Sequence, residues 1–253
     1  VNRTKFGETN YAAVKFISIP QNESEIKYAY SEGMDEQSVK IYFKNFALAL
    51  LEEIRLMSSL KGNTNIVSLE DYKIVEKEDG IGWDILIRME LLKSFVDYLA
   101  ENKISKREII KLGIDMCKAL EFCQKANIIH RDIKPDNIFV SQHGDYKLGD
   151  FGIARQIEKT MSGLSKKGTF SYMAPEVYKG EPYNSTVDIY SLGLVSFRLL
   201  NNNRAPFLPD YPAQITHTSR EEALIRRIIG EAIPNPINAD ARLAEIVLKA
   251  CSY

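Results

Sequence analysis

Ile129-His130-Arg131-Asp132-Ile133-Lys134-Pro135-Asp136-Asn137, followed thirteen residues after Asn137 by Asp150-Phe151-Gly152, is the stretch whose reading decides the fold. Pro135 forbids an α-helix through its centre. The next residues suit two short strands, Ile138–Val140 and Tyr146–Leu148, around the turn Gln142-His143-Gly144. Taken singly, each element is unremarkable. A lone His-x-Asp is more often a hydrogen-bonded pair than a catalyst, and a lone Asp-Phe-Gly is more often a turn.

Outward from this core, Ser105-Lys106-Arg107-Glu108 forms a capping box, which satisfies two orphaned N–H groups at a helix start. The helix that it opens carries Ile110, Gly113, Ile114, Cys117 and Leu120, read here as its apolar face. Ser94-Phe95-Val96-Asp97 can cap a short helix before it. On the other side a polar loop is expected to run to Pro175. Val187–Leu200 reads as a helix apolar enough to be buried on most sides. Ser219-Arg220-Glu221-Glu222 reads as a second capping box.

The chain before Leu92 has a different character. Tyr11–Ile19, Ile66–Val75 and Trp83–Met89 read as strands, with Gly7-Glu8-Thr9-Asn10 as a turn. Phe46–Leu60 has helical spacing and is ended by Gly62-Asn63. Residues 20–45 are polar and charged, and their composition reads as a mobile surface insertion. Strands gathered in one part and helices in the other imply an α+β fold, with the join near Glu90–Ser94.

The chain has 253 residues, 45% of them hydrophobic, enough for one large domain or two small ones. A formal net charge of −1 argues against a general nucleic-acid binder. The cysteines Cys117, Cys123 and Cys251 form no CxxC, which disfavours a disulfide framework or zinc site and suits a reducing compartment. Three widely spaced histidines do not suggest a metal cluster, and no GxSxG accompanies a hydrolase triad. No run is long and apolar enough to span a membrane. The start at Val1 is neither a signal peptide nor an initiator context, and the chain is expected to be a piece of a longer polypeptide.

Five motifs in order carry a resemblance. His130-Arg131-Asp132 to Asn137 and Asp150-Phe151-Gly152 resemble the catalytic loop and metal-binding segment of eukaryotic-like protein kinases. Ala12-Ala13-Val14-Lys15 resembles their VAIK strand, Met173-Ala174-Pro175-Glu176 their APE segment, and Asp188-Ile189-Tyr190-Ser191-Leu192-Gly193 their DxWSxG helix. The resemblance covers essentially the whole chain. It implies a bilobal fold, with a strand-rich lobe over residues 1–92, a hinge at about 90–93 and a mainly helical lobe over 93–253. The implied activity is transfer of the ATP γ-phosphoryl group, with magnesium or manganese, to protein hydroxyls.

The resemblance also implies roles. Asp132 orients the acceptor hydroxyl and Lys134 meets the moving phosphate. Asn137 and Asp150 offer oxygens to the metal, and Lys15 holds the α- and β-phosphates. Glu53 is expected to hold Lys15, because Glu53 and Met57, four apart, share a helix face; Glu52 remains the alternative. Leu69, Met57, Phe151 and His130 are expected to stack. Met89 stands at the gatekeeper position, Glu90 and Leu92 meet adenine through their backbone, and Ala13 and Phe139 sandwich the ring.

Lys134, two residues after Asp132, and Gly168-Thr169-Phe170-Ser171-Tyr172 resemble Ser/Thr rather than Tyr kinases. Thr169 is then expected to bond Asp132 and Lys134. Arg131 suggests control by phosphorylation at Thr160, Ser162 or Ser165, and Lys166-Lys167 is a basic pair. Two features depart from the family. No GxGxxG occurs, so that loop either lies upstream or is lost. No arginine occupies the place expected for a partner of Glu176. The alternatives are therefore a non-catalytic, pseudokinase-like scaffold and a small-molecule phosphotransferase. Ile229-Gly230-Glu231-Ala232-Ile233-Pro234 is similar to bacterial members. That implies a cytoplasmic domain, in a parent that carries a membrane segment beyond Tyr253.

Overall fold

The computed structural model describes residues 2–5, 8–78, 80–151 and 169–253. Two compact units divide between Leu92 and Lys93, and Asp150 and Phe151 belong to the first of them.

The first unit is built on a four-stranded antiparallel sheet. Its strands are β1 (Asn2–Lys5), β2 (Glu8–Ile19), β3 (Leu69–Glu76) and β4 (Trp83–Glu90), in the order β1-β2-β4-β3. Lys5 pairs with Glu8, so Glu8–Asn10 are strand and not the turn that their composition suggests. The β2–β4 register puts Lys15 opposite Ile87 and Ala13 opposite Met89. Ile85 and Ile87 alternate with less buried neighbours, the period-two pattern of a strand with one face on a core.

Among the described residues, two helices complete this unit, α1 (Glu23–Ser31) and α2 (Glu36–Ser59). Most of residues 20–45 are therefore helix, and the expectation of an irregular segment is corrected. Asn22 caps α1 by accepting from the Glu25 N–H, and Asp35 caps α2 by accepting from the Ser38 N–H. Val39, Phe43, Ala47, Leu50, Ile54 and Met57 are buried at steps of three and four residues along the whole of α2. The apolar stripe thus begins in the stretch whose average composition is polar.

The second unit starts with a three-stranded sheet, β5 (Lys93–Ser94), β6 (Ile138–Val140) and β7 (Tyr146–Leu148). Its helices are α3 (Phe95–Glu101), α4 (Lys106–Lys125), α5 (Pro175–Lys179), α6 (Thr186–Leu199), α7 (His217–Ile228) and α8 (Ala241–Ala250). The Ser94 cap and the Ser105 box open α3 and α4 as the sequence suggests. The box opening α7 is Thr216 with Ser219, three residues before the one read from sequence.

The apolar face of α4 also needs correction. Ile109, Leu112, Met116, Ala119 and Cys123 are buried, whereas Ile110 and Ile114 are exposed. Asp115 is a carboxylate in the middle of the buried face. It is satisfied there, because its Oδ2 accepts from Lys111 Nζ at 2.6 Å and from the Tyr146 N–H at 3.1 Å.

Helix α6 lies at the centre of this unit, with Val187, Leu194 and Phe197 almost fully buried. Gly193 allows α8 to approach it. A Cβ there would meet Cys251 Sγ at 2.7 Å and Ala250 Cβ at 3.0 Å.

Candidate active site

Pro135 opens a 3₁₀ turn, Pro135–Asn137, where its missing N–H leaves no bond unmade. This tight turn folds Asn137 back onto Asp132. Asn137, only 4% exposed, donates from Nδ2 to both the main-chain oxygen and Oδ2 of Asp132, each at 2.7 Å. Lys134 Nζ lies 3.3 Å from the same Oδ2. One carboxylate oxygen is thereby fixed by an amide and a cation.

The loop is anchored from beneath. Asp188, in the first turn of α6, is 2% exposed. Its Oδ2 accepts from the His130 N–H and its Oδ1 from the Arg131 N–H, each at 2.8 Å. These bonds hold Arg131 at φ +66, a left-handed conformation that costs a non-glycine residue about 1–2 kcal/mol. Burial raises the Asp188 carboxyl above its ordinary range, while His130 and the two backbone N–H groups pull the other way. His130 Nε2 lies 3.0 Å from the Gly149 carbonyl, which can only accept, so Nε2 carries the hydrogen. Nδ1 then accepts from the Asp132 N–H at 3.3 Å, so the ring serves as a strut within the loop. Sequence reasoning noticed the Asp188 motif but gave that residue no task. Its position next to Ser185-Thr186, at the head of an apolar helix, was the available signal.

In the first unit, Lys15 Nζ donates to Asp150 Oδ1. Asp150 has φ +54 and its side chain is 43% exposed. Glu53 lies on α2 and forms no ion pair among the described residues. Its Oε2 is buried without a hydrogen-bond partner among the described residues. Burial raises its pKa, against the opposing field of Lys15. Leu69, Met57 and Phe151 are buried in this unit, and His130 is buried in the other. Met89 and Glu90 end β4, and the Glu90 carboxylate accepts from the Ser68 N–H at 2.6 Å. Leu92 and Ala13 are half-buried in the same unit, as is Phe139 on β6 in the other.

The segment after the undescribed stretch is held to helices of the second unit. Ser191 Oγ donates to the Tyr172 carbonyl at 2.7 Å, and Arg198 Nη1 donates to the Tyr172 hydroxyl at 2.6 Å. Arg227 binds the carbonyls of Ser171 and Phe170 at 2.7 and 2.8 Å. Arg198 and Arg227 are not singled out by any sequence motif. Glu176 is half-buried on α5. Cys123 and Cys251 are buried thiols that desolvation pushes to about 12, which removes them as nucleophiles near neutral pH. Thr160, Ser162, Ser165 and Lys166-Lys167 lie outside the described residues, as does the side chain of Thr169.

An aspartate held by an amide and a lysine, on a loop tied by a second buried aspartate, is an arrangement chemically able to orient a hydroxyl. With a strand-rich and a helical unit, this is the pattern of the protein kinase fold. The protein kinase domain family matches residues 5–253, and the chain belongs to that family. It is 32% identical over 192 residues to a probable serine/threonine-protein kinase of Clostridium perfringens, covering 74% of this chain and 26% of that protein. It is 33% identical over 198 residues to the probable serine/threonine-protein kinase MARK-C of Dictyostelium discoideum, covering 73% and 25%. Serine/threonine-protein kinase PknB of Mycolicibacterium smegmatis is 36% identical over 121 residues, covering 46% and 19%. The chain thus spans about a quarter or less of the length of these relatives. No helix among the described residues is long and apolar enough to cross a membrane.

Proposed function

We propose that this chain is the catalytic domain of a protein kinase that transfers the γ-phosphoryl group of ATP to serine or threonine hydroxyls of proteins. The observation that carries this reading is the cluster of Asp132, Asn137 and Lys134. Phosphoryl transfer asks the protein mainly to position groups and to stabilise charge. Asp132, with its Oδ2 fixed by the Asn137 amide, is suited to orient a hydroxyl and receive its proton. Lys134 is suited to meet the negative charge on the transferred group. Tying the loop to Asp188 keeps these groups in place without rearrangement.

By their chemistry the proposed donors, an amide and a carboxylate oxygen, suit magnesium. Asn137 commits its Nδ2 to Asp132, which leaves its amide oxygen as a ligand, and Asp150 offers an accessible carboxylate. Among the described residues no three acidic, histidine or cysteine side chains gather into a closed cage. A hard cation that takes its other oxygens from water and phosphate needs none. Magnesium, or manganese in its place, would supply charge neutralisation between the phosphates. Lys15 is suited to bind the α- and β-phosphates once it exchanges Asp150 for them, with Glu53 as its further partner. Met89, Glu90, Leu92, Ala13 and Phe139 are assigned to adenine, and Thr169 to contact with Asp132 and Lys134. The similarity to serine/threonine-protein kinases supports serine and threonine as acceptors.

The test is transfer of labelled γ-phosphate from Mg-ATP to casein by the full-length protein, beside an Asp132→Asn variant. Loss of one proton-accepting carboxylate should lower the rate by about 10²–10⁴-fold, with the fold and nucleotide affinity retained. Equal rates in the two proteins would sink the assignment. No transfer by either would favour a non-catalytic scaffold. Control by phosphorylation is proposed on Arg131, with Thr160, Ser162 and Ser165 as acceptors. A triple alanine variant with unchanged rate and phosphate content would remove it.

A further inference from the structure

Arg227 on α7 is 4% exposed, yet among the described residues no carboxylate pairs with it. The titratable and charged groups that act on it are Tyr190, Cys251 and Arg198. None supplies a negative charge near neutral pH, because burial pushes the Cys251 thiol to about 12 and raises the Tyr190 phenol as well. A buried cation is unfavourable unless its donors are satisfied. Packing alone would be served by an apolar side chain of similar volume. What the guanidinium adds is two directed bonds, from Nη1 to the Ser171 carbonyl at 2.7 Å and from Nη2 to the Phe170 carbonyl at 2.8 Å. A planar fork can hold two adjacent peptide units at once, which a single ammonium cannot.

The next carbonyl along, that of Tyr172, is held by Ser191 Oγ at 2.7 Å. Three successive carbonyls therefore accept from side chains of α6 and α7. The path of this segment is imposed by the helices beneath it, and the Ser171 side chain is turned to solvent.

We propose that Arg227 is a positioning residue for the protein acceptor, acting by fixing the peptide units of Phe170 and Ser171. This rests on the kinase assignment above. In that assignment Thr169 adjoins Asp132, so the residues that follow it border the path of the acceptor chain. Release of the clamp should disturb the acceptor and leave nucleotide binding alone.

The test uses the full-length protein with Arg227→Met and Arg227→Lys. Arg226→Met serves as a control, because Arg226 faces solvent and pairs with Glu231 through Nε at 2.7 Å. KM and kcat are measured for casein and for ATP, with nucleotide affinity and melting temperature alongside. Arg227→Met should raise the casein KM or lower its kcat/KM by about 10- to 100-fold, because small misplacements have effects of that size. The KM for ATP should stay within about twofold. Arg227→Lys should recover part of the loss, since one carbonyl can still be reached. If Arg227→Met does not fold, the same split between acceptor and ATP is read on Arg227→Lys. An unchanged casein KM and kcat in both variants overturns the proposal. So does a parallel loss of acceptor use, ATP use and stability, which would mark a structural role only. Absence of transfer by the wild type would instead remove the kinase assignment, and this proposal with it.

Discussion

Asp188→Asn isolates the anchoring of the His130–Asn137 loop. The side chains are nearly isosteric, so packing around this 2% exposed position is preserved. The carboxylate accepts two backbone N–H groups at 2.8 Å, one on each oxygen. An asparagine offers one oxygen, and its NH₂ opposes the other N–H. A hydrogen bond to a charged group contributes about 1.5–3 kcal/mol, and an unsatisfied buried donor costs about 1–3 kcal/mol. Removing a desolvated charge offsets part of this, since burial already disfavours the ionised form of Asp188. The net loss is about 2–3 kcal/mol, a large share of the roughly 5–15 kcal/mol that holds a domain folded. For a chain of this size each kcal/mol corresponds to about 2–4 °C, so calorimetry at neutral pH should show melting about 4–12 °C lower. Arg131 should then leave its left-handed conformation, and phosphate transfer should fall further than stability does, by about 10²-fold. A variant that melts within about 1 °C of wild type and transfers phosphate at the wild-type rate would refute the anchoring.

Glu53 predicts a pH dependence. Its folded-state pKa is raised above the ordinary 4.5 by burial, with Lys15 opposing. The folded chain therefore holds this proton more tightly than the unfolded one. The resulting stability is present below the unfolded pKa and is lost as pH rises through the folded one. Glu53→Gln should match wild type at low pH and exceed it at neutral pH in urea midpoint; a variant less stable at neutral pH would show that ionised Glu53 is well paired. Gly193→Ala should destabilise the α6–α8 contact. The new Cβ meets Cys251 Sγ at 2.7 Å. The overpacking penalty of about 1–3 kcal/mol exceeds the helix-propensity gain of about 1 kcal/mol. Melting should fall by a few degrees and recover in part when Cys251→Ala is added. A rise in the melting temperature of the single variant would contradict the close approach.

Much of the architecture is legible wherever the signal is local. The capping box Ser105/Glu108 marks the start of α4, and the alternation in Trp83–Glu90 marks β4. The chemistry around Asp132 is legible because its residues lie within six positions of one another, and a tight turn at Pro135 is enough to gather them. Where average composition dominated, the reading failed. The first half of α2 hides Val39 and Phe43 among charges, and only its partners in the core show that this face is buried. On α4, Ile110 and Ile114 were as plausible a core face as Ile109 and Leu112. Asp115 lies on the buried face, and its satisfaction depends on Tyr146, distant in sequence.

By itself, then, the sequence determined the family motifs and the division into a strand-rich and a helical part, and it offered the groups proposed to orient a hydroxyl and bind phosphate. Those follow from side-chain chemistry and from backbone preferences acting over a few residues. The tertiary structure decided which carboxylates are tied and which are exposed to a change of partner. Asp188 is spent on two N–H groups far back in the chain, Lys15 is joined to Asp150, and half-buried Glu53 keeps an oxygen unpaired among the described residues. It also gave Arg227 its place beneath Phe170 and Ser171. Each of these pairings joins residues tens of positions apart, and the balance between desolvation and pairing at such a site exists only once the chain has closed around it.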